Sequence, residues 1–538
     1  MKRRLPFALK SILPMSRRRK ILIFAGIVLG VAILIPVIRH YQLRFAVASY
    51  IAGLKAKGEP MEISEALPAP VPPGSNGVET ARAAFSLLTP GSFAESNLPP
   101  MMQMVAPGRA MIAWQQPDVR GPDFTNSWSN VMAAAANQAA RDLLIQAAAY
   151  PAIDFQLDYT KAYDLRLPHY RGLKLSMQGL AAAAMCDLHD GNTASAATNI
   201  CAMLALDQAI SDERTEFSQV MRRAFAEIAA TATWELLQAT NATDAELAVL
   251  QTNWGRLEFI KEMENAYLMK RAFMESEIPK MRASAAEFYR MFNGPGGFYA
   301  DYVNESSGEA TGKLGHIWKD AKTTYAMSMW RSSWSYSDEL QALKQYQIFL
   351  ETLRAVETNQ VFYPAYANME NRLHAIGVTD DSEDRWLWKL DIPNARWCFA
   401  EMNFNRNGDI DLYATIIRAT MRAEATKRIV ITAIALKRFQ LQHGNYPEKL
   451  SELTPEFLAS VPLDPVDGQP LRYRRNSDGT YLLYSIGENG VDDGGNPSLE
   501  DNTDNSSAYW PNLHVLDWVW PQPATPAEVQ YFYDHPPK

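Results

Sequence analysis

Apolar and polar positions along this chain recur mainly with a helical period. Segments rich in Ala, Leu, Met and Gln, all good helix formers, predict helices over residues 78–88, 127–149, 170–189, 193–211, 216–237, 244–274 and 337–356. A further helix is predicted from about Asp411 to Gln442, ended by His443, Gly444, Asn445, Tyr446 and Pro447. Gly444 suits a left-handed cap and Pro447 stops propagation. The pattern then changes period. Residues 471–475 and 481–486 read as two strands joined across Asn476, Ser477, Asp478 and Gly479, a hairpin signal.

The N-terminal end has a different pattern. Residues 21–38 are apolar without a charge, bounded by Lys20 and Arg39, and a helix of that length spans about 27 Å. Basic residues crowd the segment before it. The expectation is a signal anchor: a single-pass transmembrane helix over 21–38, residues 1–20 a basic cytoplasmic tail, and the rest exported. A cleaved signal peptide, with Ala46, Val47 and Ala48 near the cleavage point, is the competing reading, and a buried soluble helix is the bland alternative. Residues 42–57 predict a short helix continuing from the anchor. The prolines within 59–76 forbid a helix there, so 39–76 read as a stalk.

The expected fold class is therefore mainly α: an N-terminal transmembrane helix, a multi-helix extracytoplasmic domain over 77–410, and a small C-terminal α+β module over 411–538. At 538 residues the chain exceeds a single core. A net charge of −8 argues against nucleic acid as a partner. Three cysteines, Cys186, Cys201 and Cys398, cannot make a disulfide framework. The turn at Asp190, Gly191 and Asn192, with Ala184 before it and Ala196 and Ile200 after it, fits plain helix packing and also the second half of a tetratricopeptide unit. No second copy follows at that period.

The last fifth of the chain resembles the globular end of the major pseudopilin of type II secretion. The matching residues come in order: His443 to Pro447, then Val461, Pro462, Leu463, Asp464 and Pro465, then Gly468 and Tyr473, then Ser485, Ile486 and Gly487 before an acidic Gly-rich loop. The whole chain is similar to uncharacterised membrane-anchored helical bacterial proteins that end in this module. Leu167, Pro168 and His169 and the run Asp517 to Pro521 are among the residues that fit. Two departures stand out: a long helical region precedes the module, and the N-terminal run lacks the pseudopilin leader and its early Glu. The resemblance implies a structural calcium site: Ser485, Asn489 and Asp501 fall near its loop positions, with Asn489 where the family has Asp, and Asp492 and Asp493 add carboxylates. Read by itself, the loop has no base to neutralise it, and its oxygens suit a hard cation; a solvated acidic loop is the alternative.

Other candidates are weaker. Residues 403–411 resemble a calcium loop but have Asn403 first and Ala414 in place of the bidentate Glu. Residues 308–313 are one short of a phosphate loop. The aromatic-rich stretch 292–334 reads as core or as a groove for a sugar or peptide. His169 and His189 read as structural histidines, with a general base the alternative at His169. No convergent catalytic set is visible. The expected function is a membrane-anchored scaffold or binding protein of the periplasmic side of the inner membrane, with secretion proteins among its expected partners. A hydrolase-type enzyme and a pseudopilus component are the alternatives.

Overall fold

Polar caps set where these alanine-rich segments become helices. Asn137, Asn192, Thr215 and Thr243 each accept a backbone N–H of the first turn that follows. At Thr243 the cap is reciprocal, since Glu246 returns a bond to the Thr243 N–H. The resulting architecture is seen in a computed structural model that describes residues 17–88 (except 73), 105–120 (except 107, 108 and 111), 125–290 (except 136, 285 and 289), 330–376 (except 332–334), 378, 409–497, 516–523 (except 521), 530 and 534. The chain forms two compact units. One comprises Met1–Glu59, Ile278–Leu343 and Glu383–Phe404; the other comprises Pro60–Glu277, Lys344–Ser382 and Asn405–Lys538.

Helix α1, Arg17–Ala56, belongs to the first unit. Among the described residues no helix is long and apolar enough to cross a membrane, and this overturns the expected N-terminal transmembrane helix. The apolar run is not a separate peg. It is continuous with a polar second half carrying Arg39, His40 and Arg44, and that half packs on protein. Val47 and Leu54 are buried there, and the His40 ring meets Tyr336 edge-on at 5.1 Å. Ile23, Phe24 and Ile27, in the first half, are exposed. Elsewhere in this unit Arg282 lies over the Tyr336 ring at 3.8 Å, pairs with Glu339, and bonds Ser335 Oγ at 3.0 Å.

The second unit holds most of the helices: α2 Val78–Leu87, α3 Trp128–Ala135, α4 Gln138–Ala148, α5 Tyr170–His189, α6 Thr193–Ala209, α7 Glu216–Leu237 and α8 Asp244–Gly255. They are followed by α9 Ile260–Ala283, α10 Ser335–Asn359, α11 Tyr363–Ala375 and α12 Asp409–His443; α9 and α10 each begin or end in the first unit. Helices α5 and α7 have the predicted bounds. The predicted helix 127–149 is two, because the Asn137 side chain caps α4 and bonds the Leu87 carbonyl. The predicted helix 244–274 is also two. The break after Gly255 frees the Leu257 and Glu258 carbonyls, which accept from Lys427 Nζ at 2.6 Å and Arg222 Nη1 at 3.0 Å. Helix α11 is not among the predicted helices, although Pro364 in its first turn and the Met369 and Leu373 stripe mark it.

Helices α5, α6 and α7 pack on one another and α8 packs on α6, while α12 lies against both α7 and α8. Ala184, Ala196 and Ile200 are fully buried at the α5–α6 crossing, where small residues let the backbones approach. A Cβ on Gly172 would stand 2.5 Å from the Phe85 ring, so glycine is required there.

Short strands complete the unit. β1 Val105–Ala106 pairs antiparallel with β2 Arg109–Ala110, which pairs in parallel with β8 Gln522–Pro523; β3 Val119–Arg120 pairs with β4 Thr125–Asn126. The C-terminal sheet has the order β5-β6-β7, all antiparallel: β5 Arg472–Arg475, β6 Tyr481–Ile486 and β7 Asp517–Val519. Strand β6 is central, and α12 covers it.

One buried ion pair joins two helices of the bundle. Arg222 of α7 and Asp207 of α6 are both inaccessible, with Nε 2.7 Å from Oδ1, and Gln219 Oε1 takes another guanidinium N–H at 3.0 Å. Asp207→Ala leaves this guanidinium uncompensated. We expect a loss of about 3–5 kcal/mol, read as a lower urea midpoint. Gly172→Ala should cost about 1–3 kcal/mol in the same assay through overpacking.

Candidate functional site

The acidic turn that follows β6 lies in a network of charged side chains: Asp464, Asp467, Arg472, Asp492, Asp493 and Asp517. Gly490 has φ +69°, and a Cβ there would sit 2.7 Å from the Tyr363 ring of α11. The turn therefore folds tightly against that helix only with glycine at this place.

The expectation that no base neutralises this turn is corrected by Arg472. From β5, opposite Tyr484 in register, its guanidinium reaches three carboxylates. It grips Asp467 with two bonds, Nη2–Oδ2 at 2.6 Å and Nη1–Oδ1 at 3.1 Å. It stands 3.1 Å from Asp464 Oδ2 through Nη1 and 3.4 Å from Asp492 Oδ2 through Nε. Asp467 first, then Asp464 and Asp492, hold the guanidinium pKa above its ordinary value against the effect of burial.

Asp464 is fully buried and fully used. It accepts from the Ser485 hydroxyl at 2.7 Å, from the Ile486 N–H at 2.9 Å and from the Val466 N–H at 3.0 Å. Burial nevertheless pushes its carboxyl above the usual range. Burial also opposes ionisation of Asp492, yet the Gly494 N–H, the Tyr484 hydroxyl and Arg472 together hold it below that range. On the other side of the turn Asp517, inaccessible at the start of β7, accepts from the N–H groups of Gly495 and Asn496, each at 2.9 Å, and of Asp493 at 3.4 Å.

The residues expected to bind calcium are accounted for one by one. The Ser485 hydroxyl is committed to Asp464. Asn489 donates to Asp493 Oδ2 at 3.0 Å and accepts from the Val491 N–H. Asp492 is shared between Arg472 and Tyr484. Asp501 lies outside the described residues. Among the described residues no group of three or more His, Cys, Asp and Glu side chains is arranged to hold a metal ion. In this geometry the described donors are taken up by the guanidinium and by one another. Asp464, Asp467, Arg472 and Asp517 were not among the expected site residues. The strand pairing was the available signal, because it sets Arg472 beside Tyr484.

A second polar centre lies at the start of α5. His169 Nε2 is 2.9 Å from Glu213 Oε1, off hydrogen-bond alignment but within ion-pair reach. The imidazole stacks on Phe155 at 4.0 Å and tilts against Tyr170 at 4.6 Å. Glu213 Oε2 accepts from the Tyr170 hydroxyl at 2.8 Å and the Ser218 hydroxyl at 2.7 Å.

A third centre fastens the segment around Ala113, a short 3-10 turn at Ala113–Gln115. Both carboxylate oxygens of buried Glu235 accept from the Ala113 N–H, at 3.0 and 3.1 Å, while the Trp114 indole donates to the Glu235 carbonyl. His189 Nδ1 lies 2.8 Å from the Trp114 carbonyl, and its ring stacks on Trp128 at 4.3 Å. His189 is thus a structural contact at a helix end. Cys186 and Cys201 are free, and burial pushes their thiols up to about 12 and about 11, so neither is a ready thiolate.

The loop-like residues 308–313 and 403–408 lie outside the described residues. So does the aromatic-rich stretch apart from Trp330, which is buried and bonded to Asp338 at 2.9 Å, and Arg331. Compared with models of protein families, with curated proteins and with solved structures, the chain matches none.

Burial pushes the Glu235 carboxyl up to about 8, with the Ala113 and Trp114 contacts opposing the rise. The folded state therefore binds a proton that the unfolded state releases near the ordinary carboxyl value. This contribution to stability is present at low pH and is lost as pH rises from there through about 8. Denaturation midpoints at pH 5 and pH 9 should show a fall in the native chain, and Glu235→Gln should flatten it.

Proposed function

We propose that this chain is a non-enzymatic scaffold or binding protein whose working surface is the helical array α5–α8. One observation carries the reading: the groups best suited to acid–base work are closed off by one another. The His169 and Glu213 side chains are 6% and 8% exposed, and Phe155, Tyr170 and Ser218 take the faces and lone pairs that a substrate would need. A general base must reach the proton it removes, and this imidazole faces only protein. The cleft between Leu88, Arg141, Leu144, Gly179 and Ala183 has room for about one water.

The same helices offer large side chains to solvent. Phe217 at the start of α7 is 50% exposed and Val249 on α8 is 57% exposed. Helices α5, α6 and α7 packed on one another, with α8 on α6, make the kind of extended surface on which helical arrays bind other proteins. Membrane anchoring is not part of this proposal.

A photo-reactive residue placed at position 217 or 249 of the full chain, in cells, should give a discrete crosslinked adduct, with none from exposed position 190. Turnover of an ester, amide or glycoside by the purified chain, abolished by His169→Ala with no change in melting temperature, would overturn the reading.

A further inference from the structure

A calcium ion needs six to eight oxygens around it. The acidic turn after β6 is organised in another way. Three of its backbone N–H groups, from Asp493, Gly495 and Asn496, converge on one carboxylate, Asp517. That is how a protein holds an anion, with amide donors gathered round a negative group. Meanwhile Asp492, one of the carboxylates expected to face a metal, faces Arg472. Asp467 meets it fork to fork, and Asp464 and Asp492 complete the contact from the two flanking loops. A planar guanidinium gives directed donors to several carboxylates at once, which a lysine ammonium would not match.

We propose that the C-terminal module carries its own cation: Arg472 does the work expected of a calcium ion, and Asp517 closes the turn from the other side. The module then keeps its fold without metal. Arg472 joins three successive stretches, the 464–468 turn, strand β5 and the 487–496 turn. Ser485 and Tyr484, on the central strand, hold the carboxylates in place through Asp464 and Asp492. This inference goes beyond the binding role and stands apart from it, since it concerns what organises the module and not what the module meets.

The test is thermal unfolding of the full chain in millimolar calcium and in excess chelator. The native chain should melt at the same temperature in both, with no heat of calcium binding in a titration. Arg472→Gln should melt several degrees lower in chelator and regain part of that loss in calcium, because the freed carboxylates then have a cation to share. Should that variant fail to fold, Asp517→Asn serves: its midpoint should fall equally in both conditions. A native chain whose midpoint rises in calcium and falls back with chelator would overturn the proposal. A loss in Asp517→Asn confined to the calcium condition would overturn it too.

Discussion

Helix α12 is the element on which the second unit depends. From Ile429 to Lys437 almost every side chain is buried, on all faces of the helix. A helix apolar all round has no solvent side and must be enclosed by other elements. Helices α7 and α8 enclose it from one direction and the C-terminal sheet from another. The module is therefore not an independent appendage in this chain, because one helix serves as core to the bundle and to the sheet. Polar contacts fix the seam. Arg438 meets Asp244 at 2.7 Å, Lys427 meets the Leu257 carbonyl, and Gln251 bonds the Phe457 carbonyl.

The buried charges follow from that enclosure. A charge removed from water is costly unless paired and hydrogen-bonded. Arg222 meets the requirement with Asp207, Gln219 and the Glu258 carbonyl, and the last of these exists because a helix breaks there. Glu235 meets it with backbone donors and by holding its proton. Each centre ties together segments far apart in sequence, and each is enclosed by protein partners. Such centres rigidify a fold. They leave few groups free to act on a substrate, which is why the binding reading is preferred over an enzymatic one.

The acidic turn shows that one composition admits two chemistries. Asp492 and Asp493 among glycines read as cation ligands because carboxylate oxygens are what a hard cation requires. Carboxylates serve equally well to receive a guanidinium or backbone amides, as Asp492 does with Arg472 and the Gly494 N–H. Which partner they take depends on where β5 places Arg472 and where β7 places Asp517. Neither position is near the turn in sequence: Arg472 precedes Asp492 by a hairpin, and Asp517 follows it after residues outside the description.

The sequence by itself determined the helical class, the full extent of α5 and α7, the hairpin β5–β6 and the stop of α12 at His443. These are local properties, set by propensity, caps and turn residues acting over a few positions. Only the tertiary structure decided the breaks inside residues 127–149 and 244–274, because Asn137 and the Leu257 and Glu258 carbonyls take partners from distant helices. It also decided that the apolar run at 21–38 continues into a helix whose second half packs on protein, and that His169 is enclosed. Pairing between charges far apart along the chain is a matter of three-dimensional proximity, and no periodicity in one strand of residues encodes it.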